Sequence, residues 1–449
     1  MKTRLILLLT FLWATCLMAQ ETDSVRRLSV NECIDLALQN NITLKNNQLE
    51  IEKARATKKE AQTAYLPTVS AQALAFDALN PMLSFGIEDI DNALVRQTLY
   101  NLYAQYGALL GLKKEYAYAQ DGVVLNAMAI EPVFAGGRIY NGNKLAKLGI
   151  EAAEYQARIQ EDEIRLQTES LYWQIISLQE KIATLDQLDQ LLDTLDKDLK
   201  GAIEAGLMMP TDQYKVTLKK NESQLNRKKL NDGITLLKMA LAQTIGIDWQ
   251  NLTLTDTLGV ESDPTGCYLN PATAVAHRNE SHLLNLSLQA EKLKRKMTLG
   301  EALPSLMVGG SVNYHTILEN TKPNAMVFAV LQVPITDWHK TTFKLKKNEL
   351  DAEIAENNRR NYTELMEMQT NQAWFNLEQS WLRIGMAQTA LNDAEANLKI
   401  TQDYYEAGLV ALSDLLEAQT MLKNSRDELS DSRVEYQLNL VKYKQLTQF

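Results

Sequence analysis

The 449-residue sequence has little glycine and proline: its 19 glycines and 9 prolines are together about half the share found in typical proteins. Because these residues end helices and form turns, a chain so poor in them must consist of long, uninterrupted elements. It also has only four histidines and three cysteines. That is little material for a Cys/His metal centre or a disulfide scaffold, and we expect no cofactor.

The sequence also lacks an excess of positive charge. Its 46 Lys and Arg residues are outnumbered by 56 Asp and Glu residues, which gives a net charge of -10. A general nucleic-acid binder needs a basic surface to hold the phosphate backbone, so that class of protein is excluded. Hydrophobic residues make up 45% of the chain, a typical globular share that argues against wholesale disorder.

Residues 1–19 have the pattern of an export signal. Lys2 and Arg4 precede an apolar run, and Ala19 offers a small residue before a cleavage site. Cys16 keeps lipidation open as an alternative, although the aliphatic residue expected three positions before a lipidated cysteine is missing. Simple cleavage is the favoured interpretation.

The mature chain, from residue 20, keeps Cys33 and Cys267 in a compartment that permits disulfides, and their pairing is left open. No later run reaches the roughly 18 apolar residues of a membrane-spanning helix. A membrane crossing by this chain would therefore have to use strands.

An internal repeat divides the chain. Glu204-Ala205-Gly206-Leu207 recurs as Glu406-Ala407-Gly408-Leu409, an offset of 202 residues, and Leu66-Pro67 recurs as Leu303-Pro304, an offset of 237. We therefore expect one unit made of two structural halves, near residues 28–247 and 269–449.

The first half carries an insertion, because the offset between the halves changes by 35 residues between the two matches. We place the insertion at Asn80–Gln120 and expect its core, Ala93–Leu110, to be helical. Each half otherwise has the same order of elements. A helix, at Ser29–Leu66 or Pro271–Leu303, is followed by an alternating region, a very long helix, a Gly-Leu turn and a return helix.

The long helices are the strongest signal. Breakers are almost absent from Asn143–Gly206 and Pro334–Gly408, and at 1.5 Å per residue such helices would be rods of roughly 100 Å. Apolar residues recur every seven positions in both, which predicts coiled-coil packing: Leu171, Leu178, Leu185, Leu192 and Leu199, then Leu377, Ile384, Leu391, Leu398 and Tyr405. Gly206 and Gly408 are expected to cap them, with Pro210 starting a return helix.

Alternating segments predict strands near residues 66–76, 121–131, 304–315 and 325–333. In Leu306–Tyr314, one parity is Leu, Val, Gly, Val, Tyr and the other is Met, Gly, Ser, Asn. One apolar and one small or polar face is typical of a barrel wall between lipid and water, although a soluble sandwich has the same pattern. Four strands cannot close a membrane barrel, so several chains would have to share one.

The chain resembles the TolC family of outer-membrane efflux channels over its whole mature length. The resemblance rests on the repeat, on the paired Gly-Leu-x-x-x-(Ser/Thr)-Asp turns, on Leu-Pro before the first strand of each half, and on Glu131-Pro132-Val133-Phe134-Ala135-Gly136-Gly137-Arg138. The second half departs from this last motif, since Val333-Pro334-Ile335-Thr336-Asp337-Trp338 has no glycine pair.

The resemblance implies a mainly α protein with a small β part, without enzyme activity, in the outer membrane and extending into the periplasm. Three copies would share a twelve-strand barrel in outer-membrane lipid, above a tunnel of paired helices. As an exit duct, the homotrimer would conduct drugs, metal ions or proteins delivered by an inner-membrane pump and a periplasmic adaptor. A periplasmic coiled-coil scaffold or adaptor without a barrel is the alternative.

The resemblance also implies site residues. The adaptor would dock on the turns at Gly206, Leu207, Gly408 and Leu409. The residues that match Asp212 and Tyr405 hydrogen-bond between neighbouring helices in the closed state of the family. Asp414 and Glu417 lie three residues apart, hence on one helix face, and match carboxylate rings that narrow the tunnel mouth. Carboxylates at a helix start are the plainer interpretation of Asp212 and Asp414.

Other groups of polar residues give weaker evidence of a functional site. Asp186, Asp189, Asp193 and Asp196 form one acidic stripe, which is interpreted as a solvated helix face rather than a tunnel lining. His277 and His282 are five residues apart and do not share a helix face, so we expect no metal site there. Gly137–Lys144 loosely resembles a phosphate loop but has Asn143 where the lysine should be, which indicates the start of a helix instead.

Overall fold

A computed structural model describes residues 26–118, 120–206, 209–259, 262–317 and 322–447. The predicted signal peptide, Cys16 and Leu207 lie outside these ranges.

The protein is mainly helical with a small β part, as predicted. Its helices are α1 (Val30–Asn40), α2 (Ile42–Thr63), α3 (Ala93–Leu110), α4 (Arg138–Glu204), α5 (Pro210–Ile245), α6 (Pro271–His277), α7 (Asn279–Glu301), α8 (Lys340–Glu406) and α9 (Leu412–Thr447). Its strands are β1 (Arg26–Leu28), β2 (Thr68–Asp77), β3 (Leu83–Gly86), β4 (Glu115–Tyr118), β5 (Asp121–Ala135), β6 (Leu252–Leu254), β7 (Ser305–His315) and β8 (Asn324–Gln332). No helix in the described part of the chain has an apolar stretch long enough to cross a bilayer.

The two halves have matching elements. Helices α4 and α8 each contain 67 residues, and α5 and α9 each contain 36. Their first residues differ by the offset of 202 found in the sequence, and those of α2 and α7 differ by the offset of 237. The insertion contains α3, which has the bounds expected from its composition, and the small antiparallel pair β3–β4.

The first helix of each half is interrupted, which corrects the expectation of single helices over Ser29–Leu66 and Pro271–Leu303. The interruptions are at Asn41 and Arg278, equivalent positions in the repeat, where ψ is 131° and 142°. The Asn41 side chain accepts a hydrogen bond from the Thr43 N–H (2.8 Å) and donates one to the Thr244 carbonyl (3.0 Å). It therefore caps α2 and ties the break to α5, a role that asparagine suits.

The chain folds into two compact units. The first comprises the described residues of Met1–Lys53, Glu151–Ser287 and Ala355–Phe449, and the second comprises Ala54–Ile150 and Leu288–Ile354. Each unit draws on both halves of the sequence.

The second unit contains a four-stranded antiparallel sheet in the order β2-β5-β7-β8. The halves join at its centre, where β5 pairs with β7 and Ala127 lies opposite Val312. Strands β2 and β8 pair on one side each and form the two edges, 10 and 9 residues long. The strands follow the segments in which alternation was seen.

The two faces of this sheet differ in polarity. One face carries apolar side chains that are exposed in the single chain: Val69, Leu125, Val308, Val312, Tyr314 and Val327. Amide side chains lie on the other face in a single register across all four strands, beside the exposed Leu74, Met326 and Val330: Gln72, Asn126, Asn313 and Asn324. From Asp121 to Met128 of β5, the exposed positions are those of the apolar face and the half-buried ones are those of the amide face.

The first unit is held by buried side chains from both halves. Tyr172 of α4 lies in a core with Ile175, Leu241 and Ile245 beside the parallel pair β1–β6. Its hydroxyl donates to the Leu28 carbonyl and accepts from the Asp256 N–H, both at 3.1 Å. Burial, chiefly, raises the pKa of Tyr172 to about 12, so the phenol stays protonated and keeps both bonds.

The predicted heptad positions face other helices. Leu185, Leu192 and Leu199 of α4 and Leu377 of α8 are fully buried, and the remaining heptad residues are partly buried. This confirms a packed seam along both long helices.

Two cysteines are free. Cys33 is buried in the core around Tyr172, and Cys267 packs against a different cluster, around Trp374 and Tyr443.

The backbone of the turn between β5 and α4 comes very close to the backbone of α7. Gly136 has a left-handed conformation (φ 61°), and a Cβ added to Gly300 of α7 would lie 2.4 Å from the Gly136 carbonyl oxygen. Glycine is required at Gly300 because no real Cβ approaches an oxygen so closely.

Two glycine-to-alanine variants in helices should therefore have opposite effects. Gly300→Ala should destabilise the fold by about 1–3 kcal/mol through this overlap. Gly149→Ala in α4, where an added Cβ meets nothing within 4 Å, should stabilise it by about 0.5–1 kcal/mol because alanine favours helix. Urea denaturation of the detergent-solubilised protein measures both, and equal effects at the two positions would contradict the close approach.

Candidate functional site

The candidate site consists of the two helical hairpin turns and the residues just inside them. One turn joins α4 to α5 and the other joins α8 to α9. Gly206 and Gly408 are left-handed, with φ of 75° and 73°, which confirms the predicted capping glycines. Pro210 is the first residue of α5, as expected.

The second turn is a Schellman motif. The Gly408 N–H donates to the Tyr405 carbonyl and the Leu409 N–H to the Tyr404 carbonyl, both at 2.9 Å. These bonds satisfy carbonyls that the end of α8 leaves free. In the first turn the Gly206 N–H makes the equivalent bond to the Ile203 carbonyl, also at 2.9 Å.

Both glycines are exposed, and an added Cβ at either would meet nothing within 4 Å. Leu409 is 70% exposed, whereas its counterpart Leu207 lies outside the described residues. The turns therefore present small or apolar groups to the surroundings of the single chain.

The two hairpins pack together directly behind the turns. Leu199 of α4, Val216 of α5 and Leu412 and Leu415 of α9 form one buried cluster, against which Tyr405 of α8 packs. This cluster holds the predicted gate residues Asp212, Tyr405, Asp414 and Glu417 near one end of the hairpins.

Tyr405 lies close to acidic side chains. Burial first, then the charges of Asp212 and Asp198, raise the pKa of its phenol. The Asp212 carboxylate, however, accepts from the Lys215 ammonium at 3.0 Å. No hydrogen bond joins Asp212 to Tyr405 within residues 209–259 and 322–447, so this structure brings the predicted pair near each other without the expected bond.

Asp414 has a structural role at the start of α9. Its carboxylate accepts from the Ala411 N–H at 3.1 Å, one half of a capping box. Glu417, one turn further on, is exposed, as is Asp414. In the part of α9 that is described, neither carboxylate has a basic partner, so both negative charges remain available on one face.

The acidic stripe on α4 is paired rather than free. Arg227 of α5 bridges Asp186 and Asp189, each at 2.6 Å. Lys220 of α5 contacts Asp193 at 2.7 Å and Asp196 at 3.6 Å. The hydrogen bonds to Asp189 and Asp186 raise the pKa of Arg227, and the hydrogen bond from Lys200 lowers the pKa of Asp196. The stripe is therefore an ion-paired seam between the helices of one hairpin.

Comparison with known proteins agrees with this geometry. Residues 285–447, most of the second half, match the sequence model of the family described as "Outer membrane efflux protein". No curated protein matches the chain in sequence.

Solved structures match the fold over 93% of this chain. The Campylobacter jejuni CmeC outer membrane channel is 15% identical, with a TM-score of 0.74 over 85% of its own length. The outer membrane protein VceC of Vibrio cholerae is 15% identical, with a TM-score of 0.72 over 96%. The open state of the Neisseria gonorrhoeae MtrE outer membrane channel is 14% identical, with a TM-score of 0.72 over 88%.

The resemblance to the TolC family is confirmed.

Within this TolC-like fold, the site contains partners that the sequence did not reveal. Lys215 lies one turn after Asp212, a spacing that could have indicated an ion pair. Arg227 and Lys220, by contrast, meet the stripe across the hairpin, at separations of 24 to 41 residues that depend on how the two helices are aligned. The capping role of Asp414 agrees with the plainer of its two interpretations.

Proposed function

We propose that this protein is the outer-membrane exit duct of an efflux or secretion system. It lies in the outer membrane, extends into the periplasm, and passively conducts substrates that an inner-membrane pump and a periplasmic adaptor deliver. Its family and fold are those of channels rather than enzymes.

The observation that carries this proposal is the two-faced sheet. In a water-soluble protein the exposed face of such a sheet would be polar. Here one exposed face carries no amides and is rich in apolar side chains, with Val69 and Val327 at 75% and 90% exposure, and the opposite face carries the row of amides. This arrangement suits a wall with lipid outside and a watery lumen inside.

The sheet edges support assembly from several copies. Strands β2 and β8 each leave one row of backbone N–H and C=O groups without a strand partner, and lipid does not tolerate open edges. Members of the outer membrane efflux family work as trimers with adaptors and inner-membrane pumps. Three copies would pair β8 of one chain with β2 of the next and close twelve strands.

The exposed turns suit adaptor docking. Gly206 and Gly408 form tight caps without side chains, and Leu409 offers an apolar contact. A photo-crosslinker placed at Leu409 should therefore capture a periplasmic adaptor. Capture by the same crosslinker at Val327 on the sheet, and not at Leu409, would contradict docking at the turns.

The four gate residues complete the proposal. Asp414 and Glu417 would contribute six carboxylates around the mouth of a trimer, and the neutral phenol of Tyr405 could donate to an acidic partner when the helices move. The scaffold alternative is not favoured, because a water-soluble periplasmic coiled-coil protein would expose the apolar face of this sheet to water.

Membrane fractionation tests the function most simply. The protein should remain with outer membranes after a high-salt wash and should run in detergent at about three times the mass of one chain, because its sheet edges need partners. A stable monomer with full β content would overturn the shared barrel, and release by salt would favour the scaffold.

Ion selectivity in a planar bilayer tests the gate. Like charges close together attract cations that screen them. The double variant Asp414→Asn with Glu417→Gln should therefore lower the cation preference of the closed channel and its block by multivalent cations from the periplasmic side. The trimer should stay intact, because the amide oxygen introduced by Asp414→Asn can still accept the Ala411 N–H.

A matched pair of amides on α4 serves as the control. Asp186→Asn with Asp189→Asn removes the same number of charges from carboxylates that are already paired with Arg227, so it should leave the ion preference unchanged. If the α9 variant keeps the parental selectivity, or the α4 variant loses it, Asp414 and Glu417 do not line the mouth.

A further inference from the structure

The insertion lies at the end of the sheet away from α2 and α4. Strand β2 begins next to the end of α2 and β5 ends next to the start of α4, so these helices share one end of the sheet. Asp77 and Asp121, which flank the insertion, pair at the opposite end, and the Ala78 N–H still donates to the Gln120 carbonyl at 2.7 Å. In the proposed exit duct this is the external end of the barrel, because α4 extends toward the periplasm.

The insertion projects beyond the neighbouring hairpin of the sheet. The last described bond between β7 and β5 runs from the Thr316 N–H toward the Val123 carbonyl. Past that row, within the described residues, β3 and β4 pair with each other alone and end at Gly86 opposite Glu115. Helix α3 is joined to the free end of this pair, so it stands outside the four-stranded sheet.

Helix α3 is a well-defined element with one face held by its own loop. Both of its ends are capped, by the Asn92 side chain and by the left-handed Gly111. The Tyr100 hydroxyl donates to the Glu88 carboxylate at 2.6 Å, and the Lys114 ammonium contacts the same carboxylate at 3.0 Å. These contacts fix how α3 is turned about its own axis, and therefore which face it presents to its surroundings.

An apolar stripe runs along a different face of α3. Its members are separated by 4, 3, 4 and 3 residues, which is the a/d pattern of a coiled coil. The stripe consists of Val95, Leu99, Leu102, Tyr106 and Leu109. Leu99 is half-buried and the other four are exposed in the single chain, Leu109 to 81%. Because such a seam forms by packing against other helices, its spacing indicates a helical partner.

The charges of α3 argue against a membrane surface as that partner. A helix that lies on anionic lipid carries Lys or Arg along its polar face. The one charged residue of α3 is Arg96, and its guanidinium already donates to the Ile90 carbonyl at 3.2 Å. The polar positions beside the stripe, Thr98, Asn101 and Gln105, are uncharged. Uncharged flanks suit contact with copies of the same helix, because identical charges would repel one another there.

The proposed barrel brings three copies of α3 within reach of one another. Twelve strands about 4.8 Å apart and tilted by about 40° make a barrel about 24 Å across. Its wall thus lies about 12 Å from the axis, whereas the 18 residues of α3 extend over about 27 Å. Threefold symmetry carries each residue to the same height in every copy, so like positions of the stripe can meet at the axis.

We infer that the α3 stripes of three copies pack together over the external mouth of the barrel and form a cap. The cap rests on the proposed trimer and adds a constriction at the end of the duct opposite to the gate residues. It would shield the lumen from large solutes outside the cell, and its helices would have to separate when a substrate leaves.

Single cysteines test the cap on the full-length protein in outer membranes. Leu102→Cys, oxidised with copper phenanthroline, should form a disulfide with its own copy and give a covalent dimer on a non-reducing denaturing gel. The matched control is Gln97→Cys, which is also exposed but lies about 140° around the helix from Leu102. The control should stay at the mass of one chain, as should the parent with its free Cys33 and Cys267.

The outcomes separate this inference from the proposed function. A protein that is trimeric in detergent, but whose Leu102→Cys variant gives no dimer, would overturn the cap and leave the exit duct in place. Equal dimer from the two cysteine positions would also overturn the cap, because it would mean that α3 has no preferred face. Quenching of a fluorophore on Leu102→Cys by brominated lipid would place the stripe on the membrane instead. A monomer in detergent would contradict the cap and the trimer together.

Access to the lumen from outside gives a second test. Asn313 belongs to the amide face and lies two residues from the external end of β7. In intact cells, Asn313→Cys should react slowly with a bulky maleimide that cannot cross membranes. Adding Leu102→Gln and Leu109→Gln should raise that rate several-fold, because glutamine side chains do not hold an apolar seam, and the trimer should remain. An unchanged rate would overturn the cap.

Discussion

The backbone hydrogen bonds of a four-stranded sheet constrain the rest of this protein. A sheet in the order β2-β5-β7-β8 has two open edges, and within a bilayer no water is present to satisfy them. A chain that places its apolar sheet face in lipid must therefore pair its edges with other chains. The internal repeat, which puts one strand of each half at an edge of the sheet, fits this requirement.

The repeat also relates the contacts of one half to those of the other. The pair Gly142 and Met297, which joins the two halves, has an equivalent pair of positions in the repeat, Lys344 and Glu60. The polar seam between α4 and α5, with Arg227 and Lys220 facing the aspartates, keeps the first hairpin together, and Arg383 of α8 joins the second hairpin through Glu428 and Glu435 of α9.

Much of the fold could be predicted from the sequence because its signals are local and repeated. Scarce glycine and proline indicated the long helices, the heptads indicated their packing, and the left-handed Gly206 and Gly408 were expected from the turn sequence. The composition of the insertion was enough to place α3.

The remaining features depend on contacts far apart in sequence. The break at Asn41 needs the carbonyl of Thr244, and neither asparagine nor arginine is a helix breaker by itself. The left-handed pair Trp338–His339 contains no glycine that could have marked it. At the candidate site, the sequence indicated the residues but not their partners, since Lys215 occupies the Asp212 carboxylate and the Ala411 N–H occupies that of Asp414.

The central claim is that one face of the sheet meets lipid and the other meets water. Neighbouring residues of β7 test it directly, because Val312 belongs to the apolar face and Asn313 to the amide face. A fluorophore attached to Val312→Cys in membranes should be quenched by brominated lipid and not by iodide. The same fluorophore on Asn313→Cys should be quenched by iodide and not by brominated lipid. Quenching of both by iodide alone would contradict the account.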